Sequence, residues 1–136
     1  MSDLNPEIRA AAKWWADTLR QPVHHDNGEV DQSAYATAAA NEEPRPTPHQ
    51  ADQFERLLAR ELQRRWDEGR TRSWAMLKVS VDYHAPKFLC RCLTDAGFPD
   101  FNDMLVFPIK TCMWIEKGRV RVSCGYGARS QVIFPE

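Results

Sequence analysis

Apolar residues recur at helical spacing in the first half of the chain and at strand spacing in the second. Ile8, Ala12, Trp15 and Leu19 lie four, three and four residues apart, which places them on one stripe of a helix. Asn5 is a good N-cap, Pro6 suits the first helical position, and Pro22 stops the run. Trp14 lies beside the stripe, at the rim of the expected core. A longer helix is predicted from Phe54, Leu57, Leu58, Leu62 and Trp66. Thr47-Pro48-His49-Gln50 opens it as a capping box and Gly69 ends it. Asp52 and Glu55 near its start, and Arg64 and Arg65 near its end, complement the helix dipole. Between these helices, Asn27-Gly28 signals a turn and Asp31 suits the cap of a short helix through Ala38–Ala40. Residues 41–48 form a Pro-rich connector, extended because of its three prolines.

The period then changes to two. Leu77, Val79, Val81 and Tyr83 alternate with Lys78, Ser80, Asp82 and His84, as in a half-buried strand. Ala85-Pro86 opens a third helix with Phe88, Leu89, Cys92, Leu93 and Ala96 inward. Gly97-Phe98 closes it, and 99–103 is read as a loop. Lys110–Glu116 and Arg119–Tyr126 flank Lys117-Gly118, a two-residue hairpin turn. That turn pairs Glu116 with Arg119, Ile115 with Val120, Trp114 with Arg121, Met113 with Val122, Cys112 with Ser123 and Thr111 with Cys124. One face is then apolar, while the other carries an ion pair and an indole opposite a guanidinium. A one-residue slip would destroy both faces. Gln131–Phe134 returns as a short edge strand stopped by Pro135.

These elements predict one α+β domain over residues 1–136. N-terminal helices precede a β-α-β-β unit that forms a small antiparallel-rich sheet, with helices on one face. Trp15, Leu58, Leu62, Trp66, Val79, Val81, Leu93, Met113 and Val122 are the expected shared core.

At 136 residues the chain has room for one modest core. No apolar run approaches the roughly 18 residues of a membrane span. Met1-Ser2-Asp3-Leu4 lacks the basic-then-apolar order of a secretory signal, so a cytoplasmic protein without membrane association is expected. The net charge of −1 argues against direct nucleic-acid binding. It hides an asymmetry, since residues 1–50 carry four basic against eight acidic residues and residues 51–136 carry 14 against 11. Cys90, Cys92, Cys112 and Cys124 lack the paired spacing of a zinc site and are read as reduced thiols. His24-His25-Asp26 reads as a polar turn, and neither metal nor cofactor is expected.

No phosphate-binding glycine loop, nucleophile elbow or zinc-protease motif occurs. The chemistry gathers on the polar strand faces instead. Lys78, Asp82 and His84 share one, and Cys112, Trp114, Arg119 and Arg121 share another. Side by side in one sheet, they form a candidate partner-binding surface of Lys78, Asp82, His84, Trp114, Arg119 and Arg121. The same inventory holds an enzymatic alternative, with Cys112 as nucleophile, its pKa lowered by Arg121, and His84 as base. Arg56, Arg60 and Arg64 form a stripe on the second helix, read as a solvated face.

The runs Leu77–His84, Lys110–Ile115 and Ser123–Ala128, the helix ending at Gly97, and Trp14–Arg20 resemble small phage- and prophage-encoded accessory proteins of unassigned function. The resemblance covers about half the chain and contains no catalytic motif, so no catalytic residue follows from it. It implies a mobile-element protein of the bacterial cytoplasm that acts by binding. Proteins of this kind block host defence complexes, in the manner of an anti-CRISPR on a CRISPR effector. The expected partner is a host protein or nucleoprotein complex. Self-association, as a homodimer or as a virion or assembly component, is the remaining alternative.

Overall fold

The computed structural model describes residues 4–20, 45–71, 76–125 and 127–135. The turn and short helix read between residues 21 and 44 lie outside the described residues. The elements are α1 (Pro6–Arg20), α2 (Pro48–Thr71), β1 (Met76–Val81), α3 (Lys87–Asp95), α4 (Asp103–Val106), β2 (Thr111–Glu116), β3 (Arg119–Cys124) and β4 (Gln131–Phe134). The strands form an antiparallel sheet in the order β1-β2-β3-β4, which establishes the α+β class. No helix among the described residues is long and apolar enough to cross a membrane.

The hairpin register is the one the side-chain pattern dictates, from Glu116 opposite Arg119 to Thr111 opposite Cys124. β1 adds to β2 with Lys78 opposite Trp114 and Val79 opposite Met113. Val79, Met113 and Val122 therefore share the inner face, where all three are buried. α1 and α2 pack on that face. All nine residues of the expected core are buried, and they join Ile8, Phe54, Leu89, Phe107 and Ile115 in one cluster.

Two polar ties set α1 antiparallel to α2. At one end, Asn5 donates its backbone N–H to Gln63 Oε1 and accepts from Gln63 Nε2 through Oδ1, both at 2.9 Å. At the other, the Arg20 guanidinium reaches Asp17 and Asp52 at 2.7 Å and Glu55 at 3.0 Å. Arg45 donates to the Thr18 carbonyl at 3.0 Å, supplying the last turn of α1 with a donor. Glu7, buried in the first turn of α1, accepts the Gly118 N–H at 3.0 Å and so clamps the hairpin turn.

The expected helix signals act as chemistry requires. Thr47 Oγ1 accepts the Gln50 N–H at 3.1 Å, and Gln50 Oε1 accepts the Thr47 N–H at 2.9 Å, completing the capping box. Gly97, at φ 99°, ends α3 in a Schellman motif. Its N–H donates to the Thr94 carbonyl, and the Phe98 N–H to the Leu93 carbonyl.

Three expectations are corrected. α2 runs through Gly69 to Thr71, because a glycine inside a helix costs only about 1 kcal/mol when flanking residues propagate it. β1 ends at Val81, and Tyr83 and His84 belong to an exposed bend. The segment after Pro99 contains α4, which delivers Val106 and Phe107 to the core. Phe107 meets Phe54 at 5.8 Å and Phe101 at 6.2 Å between ring centroids.

Leu62 is 1% exposed within this shared core. Leu62→Ala is expected to cost about 2–5 kcal/mol, read as a lower urea midpoint with unchanged slope. An unchanged midpoint would show that α2 does not pack on the sheet.

Candidate interaction surface

Strand alternation sends every second side chain of the sheet away from the helices. Lys78, Trp114, Arg121 and Val132 lie in one row across all four strands. Among the described residues, no helix packs on this face, and Lys78 and Val132 are exposed. The Arg121 guanidinium lies 5.0 Å from the centroid of the Trp114 ring, the stacking expected from the pairing. Glu116 accepts from Arg119 at 2.9 Å and from Arg121 at 3.0 Å. The Arg119 guanidinium, aided by Arg121, holds the Glu116 carboxyl below its ordinary range. The Nε–H of Arg121 is buried with no acceptor among the described residues, and stacking on Trp114 and the bond to Glu116 hold the group.

The neighbouring row is Ser80, Cys112 and Ser123. It forms the floor of an open cleft of about 420 Å³, also lined by Asp82, Lys110 and Trp114. The backbone around Lys110 builds this end of the face. Lys110 sits at φ 59°, its N–H donates to the Asp82 carbonyl at 2.9 Å, and its carbonyl accepts the Gly125 N–H at 2.7 Å. Its ammonium stands 5.8 Å from the Tyr83 ring centroid.

Of the six residues expected to form the surface, Lys78, Trp114, Arg119 and Arg121 stand together on the strands, and Asp82 borders the cleft. His84 stands apart. It is 75% exposed, with Nδ1 3.4 Å from Asp103 Oδ2, and that carboxylate also accepts the Ala85 N–H at 2.7 Å. His84 thus belongs to the entry of α3 and does not line the cleft that holds Cys112. Arg121 is engaged by Glu116 and the Trp114 ring rather than by the Cys112 thiol. The Cys112–His84 pair needed for nucleophilic catalysis is not assembled. Among the described residues, no group of three or more metal-ligating side chains occurs.

Two features had weak signals in the sequence. The cleft depends on Lys110 in the left-handed region and on Gly125 at φ 106° and Gly127 at φ 77°. Only the Gly-Tyr-Gly run announces it. The sharing of Glu116 by two arginines needs a diagonal contact that pairwise register does not state. The arginine stripe of α2 is neutralised at its far end, where Arg64 pairs with Glu61 and Glu68.

No protein-family model matches the chain, and no curated protein matches it in sequence. The surface is therefore read from its own chemistry.

The thiols divide by environment. Burial pushes the Cys92 thiol up to about 11, and burial also raises Cys90. Cys112 and Cys124 are both half-buried, so Cys124 is less enclosed than its apolar strand position suggests. Alkylation at mildly alkaline pH is expected to modify Cys112 in its open cleft first and Cys92 last, as mapped by peptide mass spectrometry. Folding favours the neutral Cys92 thiol, so its stabilising effect is complete below the ordinary thiol pKa of about 9. That effect is lost as pH rises toward 11. Cys92→Ala should remove this part of the alkaline loss of stability.

Proposed function

We propose that the chain is a non-catalytic binding protein whose open sheet face docks on an acidic patch of a protein partner. The observation that carries the reading is the Trp114–Arg121 stack at the centre of a sheet face that no described helix covers. Tryptophan and arginine dominate the energetics of protein interfaces, most of all near their centres. Lys78 and Val132 flank the stack, giving a cationic margin and an apolar one. The face carries Lys78, Arg119 and Arg121 against Asp82 and Glu116, an excess of positive charge that suits an acidic partner. The stack contributes only about 0.5–1 kcal/mol to an exposed hairpin, too little to explain a tryptophan there by stability alone.

The resemblance to phage-encoded accessory proteins supplies the class of partner. In that reading the chain acts in the bacterial cytoplasm and blocks a host defence complex, such as a CRISPR effector, by occupying a protein surface.

Trp114→Ala tests the proposal, because it removes the anchor and leaves the buried inner face intact. The expected result is a folded protein by circular dichroism whose affinity for the defence complex falls about 30-fold, the size of a 2 kcal/mol hot spot. Protection of a targeted phage in cells with an active CRISPR defence should fall in parallel. A folded Trp114→Ala protein with undiminished binding and protection would overturn the reading.

A further inference from the structure

We propose that the chain forms a two-fold dimer in which β1 pairs antiparallel with β1 of a second copy, centred on Ser80. The two edges of the sheet are built differently. β4 has four residues, a register shift opposite Val120 and Arg121, and Pro135 immediately after it. Shortness, irregularity and proline are the usual means of blocking an edge. β1 has six residues, an unbroken register with β2 and no proline, and among the described strands it has no outer neighbour.

The backbone of β1 is arranged for such pairing. Lys110 donates to the Asp82 carbonyl, so the main-chain groups of even-numbered residues face β2. By the alternation of an antiparallel ladder, those of Leu77, Val79 and Val81 face the open edge. A two-fold axis through Ser80 sets Val79 against the partner's Val81, so edge-facing groups meet edge-facing groups. Inner faces stay on one side and outer faces on the other.

The side chains select this register. Lys78 falls opposite the partner's Asp82, and the symmetry repeats the pair, giving two cross-strand ion pairs. Both residues are exposed, and neither takes part in an ion pair with another described residue. An axis through Lys78 would instead oppose two ammonium groups. A lone edge lysine ordinarily repels strand addition, but a lysine and an aspartate equidistant from Ser80 make the edge self-complementary. Among the described residues three large apolar side chains are left exposed, and two of them, Met76 at 43% and Tyr83 at 49%, flank this edge. The outcome is an eight-stranded sheet with two Trp114–Arg121 stacks on one continuous face.

Sedimentation of the full chain at about 1–100 µM tests the dimer through its concentration dependence. The wild type should associate. Lys78→Glu and Asp82→Lys should each weaken association at least about tenfold, and the double charge swap should restore it. A wild type monomeric throughout would overturn the proposal, and so would single variants that associate normally or a swap that fails to recover. A second variant tests the register. Ser80 would face its own copy at a non-hydrogen-bonded position, with Cα atoms about 4.5 Å apart, within disulfide range. Ser80→Cys, made with Cys112→Ser because Cys112 lies beside Ser80 in the sheet, should give a covalent dimer on oxidation with copper–phenanthroline. A product that stays monomeric would overturn the Ser80-centred register. Trp114→Ala should dimerise normally, so failure of the docking reading and failure of the dimer are distinguishable.

Discussion

One apolar layer, buried between α1 and α2 on one side and the inner face of the sheet on the other, governs the rest of the molecule. Val79, Met113, Ile115, Val120 and Val122 supply the sheet half, and Ile8, Trp15, Leu58 and Leu62 the helix half. Among the described residues the helices cover one side of the sheet, so its other side chains point away from them. The strand that buries Met113 and Ile115 therefore displays Cys112, Trp114 and Glu116. The outer face owes its composition to this constraint, and its content beyond solubility is the placing of an indole beneath a guanidinium.

The layer also explains where polar groups were admitted inside. Glu7 and Gln63 are buried, and each has a partner that closes a junction between elements, Gly118 for one and Asn5 for the other. Buried polar groups are costly unless bonded, so these two hold the helices and hairpin in one arrangement. Within the core, the indole N–H of Trp15 departs from this rule, buried with no acceptor among the described residues. It is retained where the ring itself fills the centre of the core.

Periodicity made much of this legible from the residues. The hairpin register could be read because a slip would have exposed Met113 and Val122 and buried Arg121. The ends of α2 and α3 were readable to different degrees. The Thr47–Gln50 box and the Gly97 cap are local chemistry, whereas Gly69 is overridden by the residues around it. Phe107 carries no periodic signal because α4 is a single short turn, and its burial depends on Phe54 of α2, which is distant in sequence, as well as on the nearby Phe101. The site divides in the same way. The Trp114–Arg121 stack follows from strand pairing, while the pull of His84 toward Asp103 depends on how the β1–α3 connection turns.

The bond between Glu7 and Gly118 joins residues 111 positions apart. During synthesis at about 5–20 residues per second, the carboxylate of α1 is made roughly 6–22 seconds before its acceptor site is filled. The inner-face strands β2 and β3 arrive equally late, so α1 and α2 emerge able to pack on each other but without the sheet face that completes the core around Trp15, Leu58 and Leu62. A helical pair in that state exposes an apolar stripe to the crowded space around the ribosome. The chain's native topology is thus completed only when its last third appears, and the interval before that is when chaperones would have the most to bind.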